Sequence, residues 1–368
     1  MSPPRIPYVD LAAQYAEERA QLLPVIDQVL ASGGYVGGGI INRLEGKLAA
    51  LCQVKHAVVL NSGTDALILG MRALGIGAGD EVITPPNSFV ASTAAIVQIG
   101  ARPVFADVLA DQNVDPERIA SAITPRTKAI MPVHLTGRIA DMDAIMELAR
   151  AHGLLVIEDA AQAIGSSYRE RPAGSFGDVG CFSTHPLKNL NAIGDGGFIT
   201  TDRDDVAARV RLLRNHGLID RNSVAEFGLV SRMDALQAAV LEFRLDRLDD
   251  IIRRRRANAA RYRELLDFRR VFVPADRQIE FNSYHLFVIQ TDRRDSLQQH
   301  LAQKGIGTAV HYPIPIHLQP AAASLGYGRG DFPVTERQAE RILSLPVNQS
   351  LDGEQITTVA EEINRFLA

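Results

Sequence analysis

One lysine is placed unlike the rest. In GCFSTHPLKNLNAIGDGGFITT, residues 180–201, Lys188 has no Asp, Glu, Arg or other Lys within six residues on either side. A free lysine amine, with a pKa of about 10.4, is a poor nucleophile at neutral pH. Burial or a nearby cation lowers that value, and the neutral amine can then form a Schiff base with a carbonyl. Ser183 ends the apolar run before the lysine and offers a hydroxyl. Gly194, Gly196 and Gly197 allow a tight turn after it. The plainer alternative is a structural lysine at the rim of a cleft.

Three other stretches bear on the same chemistry. In NSGTDAL (61–67) a strand runs into Ser-Gly-Thr and then a helix. Gly63 permits close approach of a ligand, Thr64 adds a hydroxyl, and free amides at a helix start suit a phosphate. An ordinary N-cap gives the same pattern. No Gly-Lys-Ser/Thr closes it, so it is not a P-loop. GGYVGGG (33–39) lacks that ending and no strand precedes it, so it reads as a mobile loop. In IEDAAQAIG (157–165) Glu158 and Asp159 end an apolar strand. Glu158 reads as a surface group, Asp159 as an inward acid able to pair with a cationic ring nitrogen, and Gln162 as its neighbour. Phe89, in TPPNSFVAS (84–92), could stack on an aromatic ligand or pack in the core. A phosphate cradle, a strand-end acid and an isolated lysine together match pyridoxal 5′-phosphate.

Seven short apolar runs must position these residues: 56–60, 81–85, 103–107, 128–133, 154–159, 179–184 and 197–201. Most are continuous rather than alternating, as strands buried on both faces are. Helical patterns at 64–75 and 142–153 lie between them, which predicts a largely parallel α/β sheet with its ligand beyond the strands' carboxyl ends. Only the Lys188 loop separates the last two runs, so they can pair differently. Ser231 reads as a helix cap with Asp234 in capping-box position, and Leu236, Val240 and Phe243 follow at helical spacing. A strand is expected at 284–290 and helices at 295–305 and 353–367. The division is thus residues 1–245, a large α/β domain with an N-terminal arm, and residues 246–368, a small α+β domain.

With 46% hydrophobic and 22% charged residues the composition is globular, and the net charge of −4 argues against nucleic-acid binding. Arg253–Arg256 reads as a solvated helix face. Two cysteines make no disulfide framework, and Cys181 reads as a small buried hydrophobe. Neither a signal peptide nor a membrane helix of about 20 apolar residues is visible. A cytoplasmic protein is expected, with no membrane partner and no metal.

The ordered segments LEGKLAALCQVKHAVVLNSGTDAL, GDEVITPPNSFVASTAAIVQIGARPVFADV, PVHLTGRIADMDAI, VIEDAAQAIGSSY, FSTHPLKNLNAIGDGGFITT, RMDALQAAVL, HYPIPIHLQP and ILSLPV span nearly the whole chain. Together they resemble the DegT/DnrJ/EryC1/StrS family of pyridoxal phosphate-dependent sugar aminotransferases. The resemblance implies the transferase fold type I: a large domain with a seven-stranded, mostly parallel sheet, a small C-terminal domain, and a homodimer with active sites at the interface. It also implies that Lys188 holds the cofactor as a Schiff base and moves the proton. Asp159 would bind the ring nitrogen and Gln162 would lie near the ring. Gly63, Thr64 and Ser183 would hold the phosphate, and Phe89 would stack. The implied reaction is ping-pong, from L-glutamate to a keto group on a nucleotide-linked sugar, for amino-sugar and polysaccharide biosynthesis.

Two positions depart from the family's common pattern. Val230 stands where many members carry an asparagine that reaches the partner subunit's phosphate. Asp195 stands where many 4-keto-sugar enzymes carry glutamate, which favours a 3-keto sugar. His311 and Tyr312 are candidate substrate residues, and His185 is left unassigned. A 4-keto sugar or a cyclitol ketone remains an alternative substrate, and a non-catalytic regulator an alternative class. A dehydratase would have histidine in place of Lys188.

Overall fold

The computed structural model describes residues 5–368. All seven apolar runs form strands of one sheet: β1 (His56–Leu60), β2 (Glu81–Thr84), β3 (Arg102–Phe105), β4 (Thr127–Ile130), β5 (Leu155–Asp159), β8 (Val179–Ser183) and β9 (Gly197–Thr201). Their order is β1-β9-β8-β5-β4-β2-β3. Successive side chains point to opposite faces. Ala57 and Val59 therefore enter one apolar core and Val58 and Leu60 the other. Because both faces are buried, the runs carry no alternation. Strand β9 is antiparallel to β1 and β8, while the remaining pairs are parallel. Its exception follows from the short Lys188 connection, which is a hairpin link and not a helical crossover.

Helices α1 (Leu11–Ser32), α2 (Gly39–Leu51), α3 (Gly63–Ala73), α4 (Val90–Gln98), α5 (Pro116–Ala122), α6 (Met142–His152), α7 (Asp204–Leu213) and α8 (Ala235–Leu245) accompany this sheet. Helix α6 ends at Gly153, whose φ of 64° suits glycine. GGYVGGG is the connection between α1 and α2, with Gly39 opening α2. Short strands β6 (Ser167–Tyr168) and β7 (Arg171–Pro172) join β10 (Glu280–Phe281) in a second sheet. Helix α9 (Leu248–Leu265) leads to β11 (Phe287–Gln290), α10 (Arg294–Gln303), α11 (Pro333–Arg341), β12 (Ile342–Leu345) and α12 (Gly353–Leu367). Strands β11 and β12 pair antiparallel, and α9, α10 and α12 build a third core with them that also takes Ile6. Asp352 and Gln355 form a full capping box on α12.

Three sequence expectations change. Helix α8 starts at Ala235, not after Ser231; Ser231 is buried and its hydroxyl donates to Asn61 Oδ1 at 3.1 Å. Glu158 is not a surface group. It is fully buried and accepts from the amides of Gly174, Phe176 and Gly177 at 2.7–2.8 Å and pairs with His134 at 3.0 Å. A buried carboxylate persists because those donors replace water. The run Arg253–Arg256 is not uniformly solvated, because Arg255 is buried. No helix among the described residues is long and apolar enough to cross a membrane.

Candidate active site

Beyond the carboxyl ends of β1, β2, β5 and β8 lies a cavity of about 330 Å³. Ser62, Gly63, Thr64, Phe89, Asp159, Gln162, Ser183, Lys188 and Asp195 line it from the large sheet's side. Tyr8, Arg255, His285, His311, Tyr312 and Asn348 close the other side. Every site residue expected from the sequence therefore meets in one place, including His311 and Tyr312, and His185 lies on the same wall.

The Ser-Gly-Thr stretch works through close approach. Ser62 caps α3, its hydroxyl accepting from the Asp65 amide at 3.1 Å. The amides of Gly63 and Thr64 open the helix, where no intrahelical acceptor exists. A Cβ on Gly63 would sit 2.6 Å from Ser183 Cβ. A Cβ on Gly197 would sit 2.5 Å from the Ser62 carbonyl oxygen. Glycine at both places brings β8, β9 and the start of α3 together, and Ser183 faces the helix start as a result. Gly63 thus does more than fill a cap position.

Lys188 is held by a braced loop. Its amide donates to the His185 carbonyl at 2.8 Å, which folds the segment into a turn. Asn189 donates to the Ser283 carbonyl at 3.1 Å. Asn191 and Gln14 of α1 exchange amide hydrogen bonds at 3.0 and 3.1 Å. Arg244 of α8 donates to the Asn191 carbonyl at 2.7 Å while pairing with Glu18 of α1. Burial pushes the Lys188 amine down from 10.5 to about 8, against the pull of Asp159. Burial raises the Asp159 carboxyl, while hydrogen bonds and Lys188 hold it down. Asp159 Oδ2 accepts from Ser92 at 2.7 Å, and Oδ1 from the Ala161 amide at 3.2 Å.

Phe89 is 55% exposed at the mouth and lies 5.6 Å from the Tyr312 ring, so it is not a core residue. Gln162 accepts from the Thr136 amide at 2.7 Å. His311 pairs with Ser344 at 2.9 Å and stacks on Tyr8. Burial pushes His311 down to about 4, with Lys188 adding repulsion. His285 is also pushed well down, by burial and by Lys188 and Arg255. Asp195 is exposed on the rim. Val230 is exposed, and its carbonyl accepts from Asn61 at 3.4 Å. Ser92, Tyr8, Arg255, His285 and Asn348 were not anticipated from sequence. Arg255 was hidden in a charge run, and Tyr8 and Asn348 come from the two ends of the chain.

The DegT/DnrJ/EryC1/StrS aminotransferase family matches residues 16–364. The dTDP-3-amino-3,4,6-trideoxy-α-D-glucose transaminase of Streptomyces venezuelae is 44% identical over 365 residues, covering 99% of this chain and 96% of its own. The UDP-N-acetyl-3-dehydro-α-D-glucosamine 3-aminotransferase of Acidithiobacillus ferrooxidans is 43% identical over 365 residues, 98% of either chain. The crystal structure of Streptomyces venezuelae DesV superposes with a TM-score of 0.96 at 43% identity, covering 100% of this chain and 99% of that one. The chain belongs to the DegT/DnrJ/EryC1/StrS aminotransferase family and is a pyridoxal phosphate-dependent aminotransferase.

Proposed function

We propose that this protein moves the amino group of L-glutamate to the keto group at C3 of a nucleotide-linked sugar, as a step in amino-sugar biosynthesis. One observation carries the reading: a single cavity holds an amine that is partly neutral near pH 8 and a buried carboxylate with no cation in ion-pair contact among the described residues. The residues fit the cofactor. Free amides at the start of α3, with the hydroxyls of Thr64 and Ser183, suit its phosphate. Asp159 suits a protonated ring nitrogen, whose positive charge offsets the cost of burying the acid. Phe89 supplies an aromatic face at the mouth, and Gln162 lies beside Asp159.

Pyridoxal phosphate, when bound, supplies the electron sink that stabilises the carbanion left when a C–H bond next to nitrogen loses its proton. Lys188 Nζ, on the wall of the same cavity, would take up that proton and give it back. An amine near 8 can do both around neutral pH. Ser92 and the Ala161 amide fix the Asp159 carboxylate, which would then present its charge to the cofactor's ring nitrogen. His311, uncharged near neutrality, and Tyr312 offer hydrogen bonds to the sugar. The brace behind Lys188 keeps its amine in register with both substrates.

The choice of C3 rests on Asp195 and on the two relatives, both named for a nitrogen at that position. A homodimer with active sites at its interface is part of the proposal. Phe227, 91% exposed, lies with Ile219, Val224 and Val230 on one exposed segment near Asn61, an apolar surface that a second copy would cover. Borohydride reduction of the loaded enzyme followed by peptide mapping should place a pyridoxyl label on Lys188. Running amino-nucleotide sugars backwards with 2-oxoglutarate should select 3-amino over 4-amino sugars. A label on another residue would remove the mechanism, and turnover of 4-amino sugars or aminocyclitols alone would move the substrate.

A further inference from the structure

Four arginines of the described chain are buried: Arg138, Arg244, Arg255 and Arg294. Three have acid partners, Glu280 and Asp276 for Arg138, Glu18 for Arg244 and Asp295 for Arg294. Arg255 forms no ion pair among the described residues. Its Nη1 donates to the carbonyl oxygens of Tyr284 and His285, each at 3.2 Å, and its buried Nε has no partner. It is 5% exposed and lines the cavity beside Tyr8, His285 and Asn348. Burial lowers its pKa only to about 10, so it remains charged at neutral pH. The two histidines on this wall are held neutral. A fixed guanidinium in a dry wall, met only by neutral oxygens, carries a desolvation cost that an anion would offset. Its planar fork suits a carboxylate.

We propose that Arg255 seats a carboxylate of the amino donor. The inference rests on the aminotransferase reading and names how that site takes its first substrate. The donor's nitrogen must reach the Lys188 region while its carboxylate finds a cation, and Arg255 and Lys188 line the same cavity. The diphosphate of a nucleotide sugar is the other anion available. A cavity of about 330 Å³ accommodates a sugar ring or an amino acid beside the cofactor, which leaves the nucleotide end at the open mouth.

The test is calorimetric titration of the holoenzyme with glutarate, a dicarboxylate lacking the reactive nitrogen, and separately with UDP and dTDP. Arg255→Gln should bind glutarate at least tenfold more weakly and leave nucleoside diphosphate affinity within about twofold. Arg255→Lys, which keeps the charge and loses the fork, should fall between. Unchanged glutarate affinity in a folded Arg255→Gln protein overturns the proposal, as does loss of UDP or dTDP binding in its place. If that variant does not fold, a wild-type crystal soaked with glutarate decides. A carboxylate on the Arg255 guanidinium upholds the proposal and one seated elsewhere overturns it. Borohydride labelling of Lys188 in the same preparation separates this result from failure of the aminotransferase reading.

Discussion

The most direct prediction concerns how Lys188 titrates in cofactor-free protein. Removing charge from water disfavours the ammonium form, and the fall from 10.5 to about 8 leaves roughly 300 times more free amine at neutral pH than an ordinary lysine has. At pH 7 about a tenth of the Lys188 side chains should be neutral, and at pH 8 about half. Competitive acetylation across pH 6–11, read lysine by lysine by mass spectrometry, measures this. The exposed Lys128 reports reagent reactivity in the same sample. Labelling of Lys188 should rise with pH and level off above about 8. Asp159 pulls the value up, so Asp159→Asn should shift the curve to lower pH. The stability consequence has a definite sign. Below pH 8 the folded protein must bury an ammonium. That cost fades as pH rises from about 8 towards 10.5, so the cofactor-free fold should gain stability over that window. Lys188→Met, with no amine to titrate, should lack this gain. A labelling curve centred near the ordinary lysine value of about 10.4, or one unmoved by Asp159→Asn, would refute the reasoning.

Other substitutions read different parts of the structure. Gly63→Ala places a methyl against Ser183 and should weaken cofactor affinity at least tenfold, measured by absorbance titration. Asp159→Asn should still bind the cofactor but slow turnover by about two orders of magnitude or more, because the ring nitrogen loses its anionic partner. Glu158→Gln leaves three buried amides and His134 with a weaker acceptor, and urea melts should show a loss of about 2–4 kcal/mol. Phe227→Glu should shift the protein towards monomer in analytical ultracentrifugation, if the exposed segment is the dimer contact.

The large sheet was legible because burial on both faces writes each strand as a continuous apolar run. The exceptional direction of β9 was legible too, from the length of one loop. Asp159 and Lys188 could be found because each interrupts apolar sequence. Glu158 was misread for a local reason: its solvent substitutes are backbone amides 16 to 19 residues further along, and amides leave no mark in side-chain pattern. Ser231 was misread because its partner, Asn61, lies 170 residues away. Arg255 sits in a run of four consecutive arginines, and only the packing of α9 decides which of them turns inward. Helix α1 escaped notice because its buried stripe is Gln14, Glu18 and Leu22, two of them polar.

That polar stripe governs when, during synthesis, the enzyme can become competent. Gln14 waits for Asn191, 177 residues on, and Glu18 for Arg244, 226 residues on. Ribosomes add about 5–20 residues per second, so these groups stay hydrated for some ten seconds or longer before their partners emerge. An early-made helix thus becomes a late-fitted keystone: a nascent chain that stops short of residue 244 can form many of its strands yet lacks the Arg244 and Ser283 contacts that complete the brace behind the reactive amine.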